Sequence, residues 1–461
     1  MADIQPFRAF RYDTQRVALK DVLTQPYDKI TPAMQERYYE ASPYNLITVE
    51  KGRTLPGDTP ENSVYTRAGR KVEEWIAEKI WVEDAKPSVY VYSEEFEVPG
   101  SRTRRVRTGF IALARVEDYD AKVVFRHERT LSGPKADRIE LLRNTRAQTG
   151  QLFFLYDDAA GRIDARLEEA MRKRAPLEMV DEYGVTHRLW PTSDRVLIAA
   201  IQREMKDKKL VIADGHHRYE TALAYRNESR ERALGAGAAK SDPMGAPEFA
   251  MATFINTHSK GLVILPTHRV VSRMANFDFD AFRQAAAKDF DWYAYPFTSA
   301  GERPAAYDEF RKDFQSHRHG RRVIGVYGAG GTAAQAFYLF ALQKGADLEQ
   351  LLPDVSEAQR GLDVVLLHRL ILEKYLGITA EAVTAEKNVT YERELDAAIA
   401  AVDNGAAQLA LLLNPVSVDQ VAQIAIGGDV MPQKSTDFYP KLLSGLAIYR
   451  VEGRIEGQDE K

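Results

Sequence analysis

The sequence predicts an α+β fold, on three observations. Strand-like runs stand beside one another as hairpins in some stretches and are separated by helices in others. At least one helix shows a clean apolar stripe. At 461 residues, 44% hydrophobic and 28% charged, the chain has the composition of a soluble globular protein and the length of two or three domains.

The elements follow in order. "TQPYDKITPAMQERYYEASPYNLITVE" gives a Pro-Tyr-Asp turn, a helix and a strand-like "NLITVE". "NSVYTRAGRKVEEWIAEKIWVED" predicts an amphipathic helix with Val72, Trp75, Ile76 and Ile80 on one face. "PSVYVYSEEFEV" and "RTRRVRTGFIALARVED" alternate and are rich in β-branched and aromatic residues, which predicts an antiparallel hairpin. "KVVFRHERTLSGPKADRIELLRNTRAQTGQLFFLYDD" reads as strand, polar loop, helix, strand. A helix around Arg162 to Lys173, a strand at "THRLWPT", the helix "SDRVLIAAIQREMKD" and the strand "KLVIAD" follow. The Gly/Ala-rich, Pro-interrupted segment 230–247 reads as a flexible insertion. "EFAMATFINTHSKGLVILPTHRVV" gives two strands and a turn, and "RRVIGVYGAGGTAAQAFYLFAL" a hairpin. Strands and helices then alternate to the end.

Bulk composition excludes several classes of chemistry. With no cysteine there is no disulfide, Cys-ligated zinc, iron–sulfur cluster or thiol catalysis. The expected location is the cytoplasm, since the first residues lack an apolar signal core and no apolar run approaches the ~20 residues of a membrane span. A net charge of −4 argues against a dedicated nucleic-acid binder.

Three stretches carry candidate chemistry. In "VIADGHHRYETALAY", residues 211–225, an apolar strand stops at Asp214 and a helix starts near Gly215. A helix N-terminus offers N–H groups and a positive dipole end to phosphate or carboxylate. Gly215 permits close approach, Arg218 adds a bidentate clamp, and His216 and His217 donate, shuttle protons or ligate metal. An Asp N-cap followed by surface polar residues explains the same string more simply, although a bare cap needs no His-His-Arg.

In "FRHERTLSGPKADRIELL", residues 125–142, His127 and Glu128 end a strand, and Lys135, Asp137 and Arg138 enter a helix. A strand-end glutamate beside basic groups suits a general base for a hydroxyl, and Lys135 and Arg138 suit an anion; an ordinary charged loop is the alternative. In "GGDVMPQKSTDFYPK", residues 427–441, Lys434, Ser435 and Thr436 crowd donors into a proline-stiffened loop, either a phosphate or nucleotide clamp or a surface turn. It lacks the glycine-spaced lead-in of a P-loop. His268 and Arg269 in "ILPTHR" and Tyr27 and Asp28 in "QPYDKI" each read more simply as structural. "VYGAGGT" lacks the full dinucleotide fingerprint and fits a hairpin turn.

These strings together resemble a known family. "PFRAFRYD", "PYDKI", "HERT", "ADGHHRYETA", "LPTHR" and "MPQKSTDFYPK" are similar, in order from Pro6 to Lys441, to a widespread prokaryotic family catalogued only as a domain of unknown function. More distantly, "DGHHR" after a strand resembles the second box of the ParB/sulfiredoxin fold. Sulfiredoxins place a catalytic cysteine where this chain has His216, and ParB partition proteins carry a Gly-Glu-Arg-Arg box that is missing here. Free-serine kinases carry an Asp-Gly-Thr-His-Arg box that holds phosphate. Asp214, Gly215, His217 and Arg218 match it, with His216 in place of Thr. Their upstream glutamate, which activates the serine hydroxyl, corresponds to Glu128.

The resemblance implies a ParB/sulfiredoxin-like core over 121–229, an N-terminal α/β segment over 1–120, the insertion 230–247 and an α+β region over 248–461. It implies phosphoryl transfer on a small hydroxylated metabolite, with serine or phosphoserine first. Glu128 would be the base, Gly215 to Arg218 would hold the phosphoryl group, and Lys135, Arg138 and Lys434 would offset charge. ADP or ATP and Mg²⁺, with Asp214 as a metal ligand, would complete the reaction. Its direction stays open, as does a non-catalytic sensor of nucleotides or phosphometabolites. Nucleic-acid processing is disfavoured by charge, and nothing fixes the oligomeric state.

Overall fold

The computed structural model describes residues 1–128, 132–235, 242–316, 321–328 and 335–455, with the backbone alone for 132–134. The class is α+β, with several sheets. The chain forms two compact units. The first contains Met1–Arg126, Thr130–Val263 and Phe438–Lys461, the second His127–Arg129 and Ile264–Asp437.

The boundaries expected at 120, 229 and 247 do not separate these units. The physical reason is strand pairing. The hairpin Val89–Glu97 and Arg104–Arg115 shares one sheet with Leu152–Tyr156, Leu210–Asp214 and Phe249–Asn256, so no core can close within 1–120 or 121–229 alone. The expected insertion also begins as helix, because His216–Gly235 continues through Arg230. Residues 236–241 lie outside the described residues.

The nine-stranded sheet of the first unit is mixed. Phe249–Asn256 is buried along its whole length, as a strand covered on both faces must be. One face holds Val91, Phe110, Phe154, Ile212 and Phe254. The helices Arg162–Arg172 and Arg195–Met205 add Leu167 and Ile201 to that core. Asp194 starts the second of these helices by accepting the N–H groups of Val196 and Leu197. Alternation sends Tyr90, Tyr92 and Glu94 to the other face, where Phe7 packs edge-on against both Tyr90 and Tyr449.

The helix Val64–Ala77 forms as the sequence predicts, with a Ser63–Thr66 capping box and Val72 and Trp75 buried. Ile76 is half-buried, and Ile80 is buried past the helix end. "NLITVE" is not a strand: Ile47–Glu50 is a helical turn. Asn45 is buried, and its Oδ1 accepts the Ile47 N–H at 2.9 Å, so a local side-chain bond outcompetes the β-propensity of the run.

The second unit has a six-stranded antiparallel sheet, in the order Phe290–Phe297, Gln335–Leu342, Val323–Gly328, Leu409–Leu412, His268–Val271, Val389–Glu392. The expected hairpin is present, with Val323 opposite Ala341. Its turn residues 329–334 lie outside the described residues. Phe310, Phe337, Leu339, Ile399 and Leu412 form the core. Among the described residues, no helix is long and apolar enough to cross a membrane.

Candidate functional site

The strand Leu210–Asp214 lies between the antiparallel Leu152–Tyr156 and the parallel Val124–Phe125. Its register shifts between Ile212 and Asp214, so the chain leaves the sheet at Asp214. Gly215 then takes φ +90°, and a Cβ there would meet the Leu152 side chain at 3.4 Å. Only glycine makes this turn without strain. The helix His216–Gly235 follows at once, with His216 buried and His217 half-buried.

Asp214 Oδ1 accepts the Gly215 N–H at 2.7 Å, and Oδ2 meets the Lys441 ammonium at 2.8 Å. Burial alone would raise this carboxyl. Lys441, then Arg218 and Lys29, outweigh burial and hold it well below the usual carboxylate range. Arg218 donates to the Gln151 carbonyl. Gln151 is itself fixed, donating to Leu443 O at 3.3 Å and accepting from Thr253 Oγ1. The backbone of Gly150 runs close by, and a Cβ there would sit 3.2 Å from Ser444 Oγ and 3.4 Å from Arg218 Nη1. Among the described residues no carboxylate is ion-paired to Arg218.

Arg218 and Arg138 both line a cavity of about 60 Å³. Leu141, Leu142, Leu152 and Ala222 form its apolar walls, and Glu50 and Thr149 add polar groups. A water needs only about 10–15 Å³ by this measure, so the space suits a few atoms of a small ligand. Glu50 is buried, accepts from Thr149 Oγ1 and stands 3.7 Å from Arg138. Arg138 also donates to Glu50 O at 2.9 Å and pairs with Asp137. Its guanidinium lies 4.2 Å from the centre of the Tyr27 ring. Burial pushes the Tyr27 hydroxyl up to about 12, while Arg218 and Arg138 pull against it.

The first unit therefore brings together Tyr27, Arg138, Asp214, Gly215 and Arg218 from the sequence reading. Sequence reasoning missed Lys29, Glu50, Thr149, Gln151 and Lys441. Lys29 and Lys441 stood inside quoted motifs, whereas Glu50 was hidden at the end of the misread "NLITVE". Asp28 is exposed in a turn. Lys135 stands beside a carboxylate of the fold. Its ammonium lies 3.6 Å from the buried Glu220, which also accepts from Tyr119 and meets Arg126 at 3.3 Å.

Glu128, His127, His268, Arg269 and the 434–436 loop belong to the second unit. His127 is buried, with Nε2 2.9 Å from Thr436 Oγ1, and its carbonyl accepts the Met431 N–H at 2.7 Å. Glu128 bridges to Met431. Ser435 donates to Pro432 O, and Lys434 is exposed with φ +56°. Two of the three expected clamp residues thus spend a hydroxyl contact inside the fold.

His268 and Arg269 do not end the preceding strand. They open their own strand, His268–Val271. His268 Nδ1 accepts the Leu413 N–H at 3.1 Å. Burial, then Arg269, lowers His268 to about 4. Arg269 is fully buried and donates to His368 Nε2 at 3.2 Å, Gln433 O at 3.1 Å and Thr267 O. Burial lowers it to about 10, with Tyr391 and Glu128 opposing that fall.

Asp214 does not fit a metal ligand. Both oxygens are engaged, one by an ammonium, and a cation at that oxygen would meet a like charge. Among the described residues no group of three or more His, Asp or Glu is placed to hold a metal ion.

Solved structures similar to this chain include a conserved hypothetical protein from Pyrococcus furiosus. It is 12% identical, with 71% of this chain and 92% of that one covered and a TM-score of 0.33. A free serine kinase in complex with ADP is 11% identical, with coverage of 76% and 96% and a TM-score of 0.34. SbnI with a C-terminal truncation, from Staphylococcus aureus, is 11% identical, with coverage of 73% and 87% and a TM-score of 0.32. No curated protein matches the sequence. A family model described as a protein of unknown function, DUF1015, matches residues 4–365, and the chain belongs to that family.

Proposed function

We propose that this protein transfers a phosphoryl group between a nucleotide, ADP or ATP, and a small hydroxylated metabolite, with serine or phosphoserine the first candidate. The reading extends the family resemblance to a ParB/sulfiredoxin-like core. One observation carries it. Arg218 reaches a small cavity beside a glycine-made helix start, donates to a single backbone carbonyl, and forms no salt bridge with a carboxylate among the described residues, its charge acting on Asp214 from further away. A partly buried guanidinium in that state favours an anionic ligand. Arg138 on the same cavity adds a second cation.

In the forward direction the substrate hydroxyl oxygen forms a bond to phosphorus. The bond from that phosphorus to the bridging oxygen of the nucleotide breaks, and the hydroxyl proton passes to Glu128. The role of Glu128 is the one implied by the resemblance to the free-serine kinase box. Catalysis of this kind rests mainly on positioning and charge, which the donors of this junction supply. No step is assigned to a protein-held metal, because Asp214 is taken.

The test is phosphate exchange between serine or phosphoserine and ADP or ATP with Mg²⁺, followed by ³¹P NMR. Turnover is expected, and Glu128→Gln should abolish it while keeping the thermal shift given by nucleotide. No exchange in any combination refutes the serine version. A nucleotide shift in Tm without any turnover in the parent protein selects the sensor.

A further inference from the structure

Opposite the helix-packed face of the first sheet lies a charged network that contributes nothing to the cavity. Glu94 and Arg107 are cross-strand partners, and both are fully buried. Arg107 Nε donates to Glu94 Oε2 at 2.7 Å. Its two remaining nitrogens donate to consecutive carbonyls, Tyr439 O at 3.2 Å and Pro440 O at 2.6 Å. The next residue is Lys441, whose ammonium holds Asp214.

Arg107 is fixed on its other sides as well. Its guanidinium lies 4.9 Å from the centre of the Phe153 ring, and Phe153 packs edge-on against Phe438. Phe153 is the register partner of Asp214. One side chain therefore ties the backbone before Lys441 to the strand that faces Asp214. A buried ion pair is weak evidence for stability, because desolvation offsets the attraction. Its donors instead define a geometry: two parallel N–H groups fix two adjacent carbonyls in one orientation.

We propose that Arg107, neutralised by Glu94, is a positioning residue that sets the Lys441 ammonium against Asp214 through the Tyr439 and Pro440 carbonyls. The link to anion binding rests on the functional reading above; the placement of Lys441 does not.

The experiment measures how fast an amine-acetylating reagent modifies Lys441, by mass spectrometry of the intact folded protein. The exposed Lys173 is an internal control. Glu94→Leu/Arg107→Met removes both charges together and keeps apolar volume. The expected result is a rise in Lys441 modification of roughly tenfold or more, the scale of a lost charged hydrogen bond, with Lys173 unchanged. Arg107→Lys, which keeps the charge and loses the fork, should give a smaller rise. A folded double variant whose Lys441 reacts at the parental rate overturns the proposal. If the double variant shows no cooperative melt, Arg107→Lys decides by the same criterion.

A second readout is the thermal shift given by inorganic phosphate. Release of Lys441 with that shift lost supports both readings. Release with the shift retained supports the positioning role and counts against Lys441 as part of an anion site. An unchanged Lys441 with a lower Tm means that Arg107 is structural only, and overturns the proposal.

Discussion

At the scale of single residues, the candidate site depends on a few positions that tolerate no ordinary substitution. Gly215 is the clearest. Its φ of +90° lies outside the regions open to L-residues, so any side chain there is strained even though a Cβ would only touch Leu152. Gly215→Ala should destabilise the protein by about 1–3 kcal/mol in urea unfolding, and phosphate binding should weaken with it. Asp214, Gly215 and Arg218 were legible in the sequence because a glycine between an acid and a basic cluster, at a strand end, has few other uses. Lys441 was not, because its partner stands 227 residues away and no local pattern encodes so distant a pairing.

At the scale of elements, the strand His268–Val271 shows how a polar motif becomes structural. The Leu413 N–H occupies His268 Nδ1, so the neutral ring carries its proton on Nε2. In the folded chain His268 titrates near 4 rather than 6.5. Between those values the unfolded chain takes up a proton that the folded chain refuses, so stability falls as pH drops through the window. The slope contributed by this one group is at most about 1.4 kcal/mol per pH unit. His368, held low by burial and by Arg269, adds to the same slope. Denaturation curves across this window should show the loss, and His268→Gln should reduce it without removing it. An unchanged slope would mean that His268 is protonated in the fold.

The helical periodicity of Val64–Ala77 and the alternation of the hairpin strands were legible, because burial imposes periods of 3.6 and 2. "NLITVE" was misread because a single buried Asn45 overrides its propensity. That misreading also concealed Glu50.

At the scale of the molecule, the family match ends at residue 365, yet the first unit is completed by Phe438–Lys461. Tyr449 pairs with Gln148, Gly445 N–H donates to Thr149 O at 2.8 Å, and Ser444 exchanges backbone bonds with Thr24. Ending the chain at residue 437 would remove these contacts, the buried Ile448 and Tyr449, and the counter-charge of Asp214. The first unit of that truncated chain should lose its cooperative melt; a retained transition at the parental Tm would show that the segment is peripheral.

The long return of the chain has a consequence in time. Synthesis delivers about 5–20 residues per second. Between the appearance of Asp214 and that of Lys441 on the ribosome lie 227 residues, or on the order of ten to fifty seconds. Throughout that interval the nascent chain has the acid of the "DGHHR" turn without its ammonium partner. The Asp214–Lys441 pair forms only when nearly the whole polypeptide exists, so an interrupted translation product carries the motif without the lysine that holds its acid.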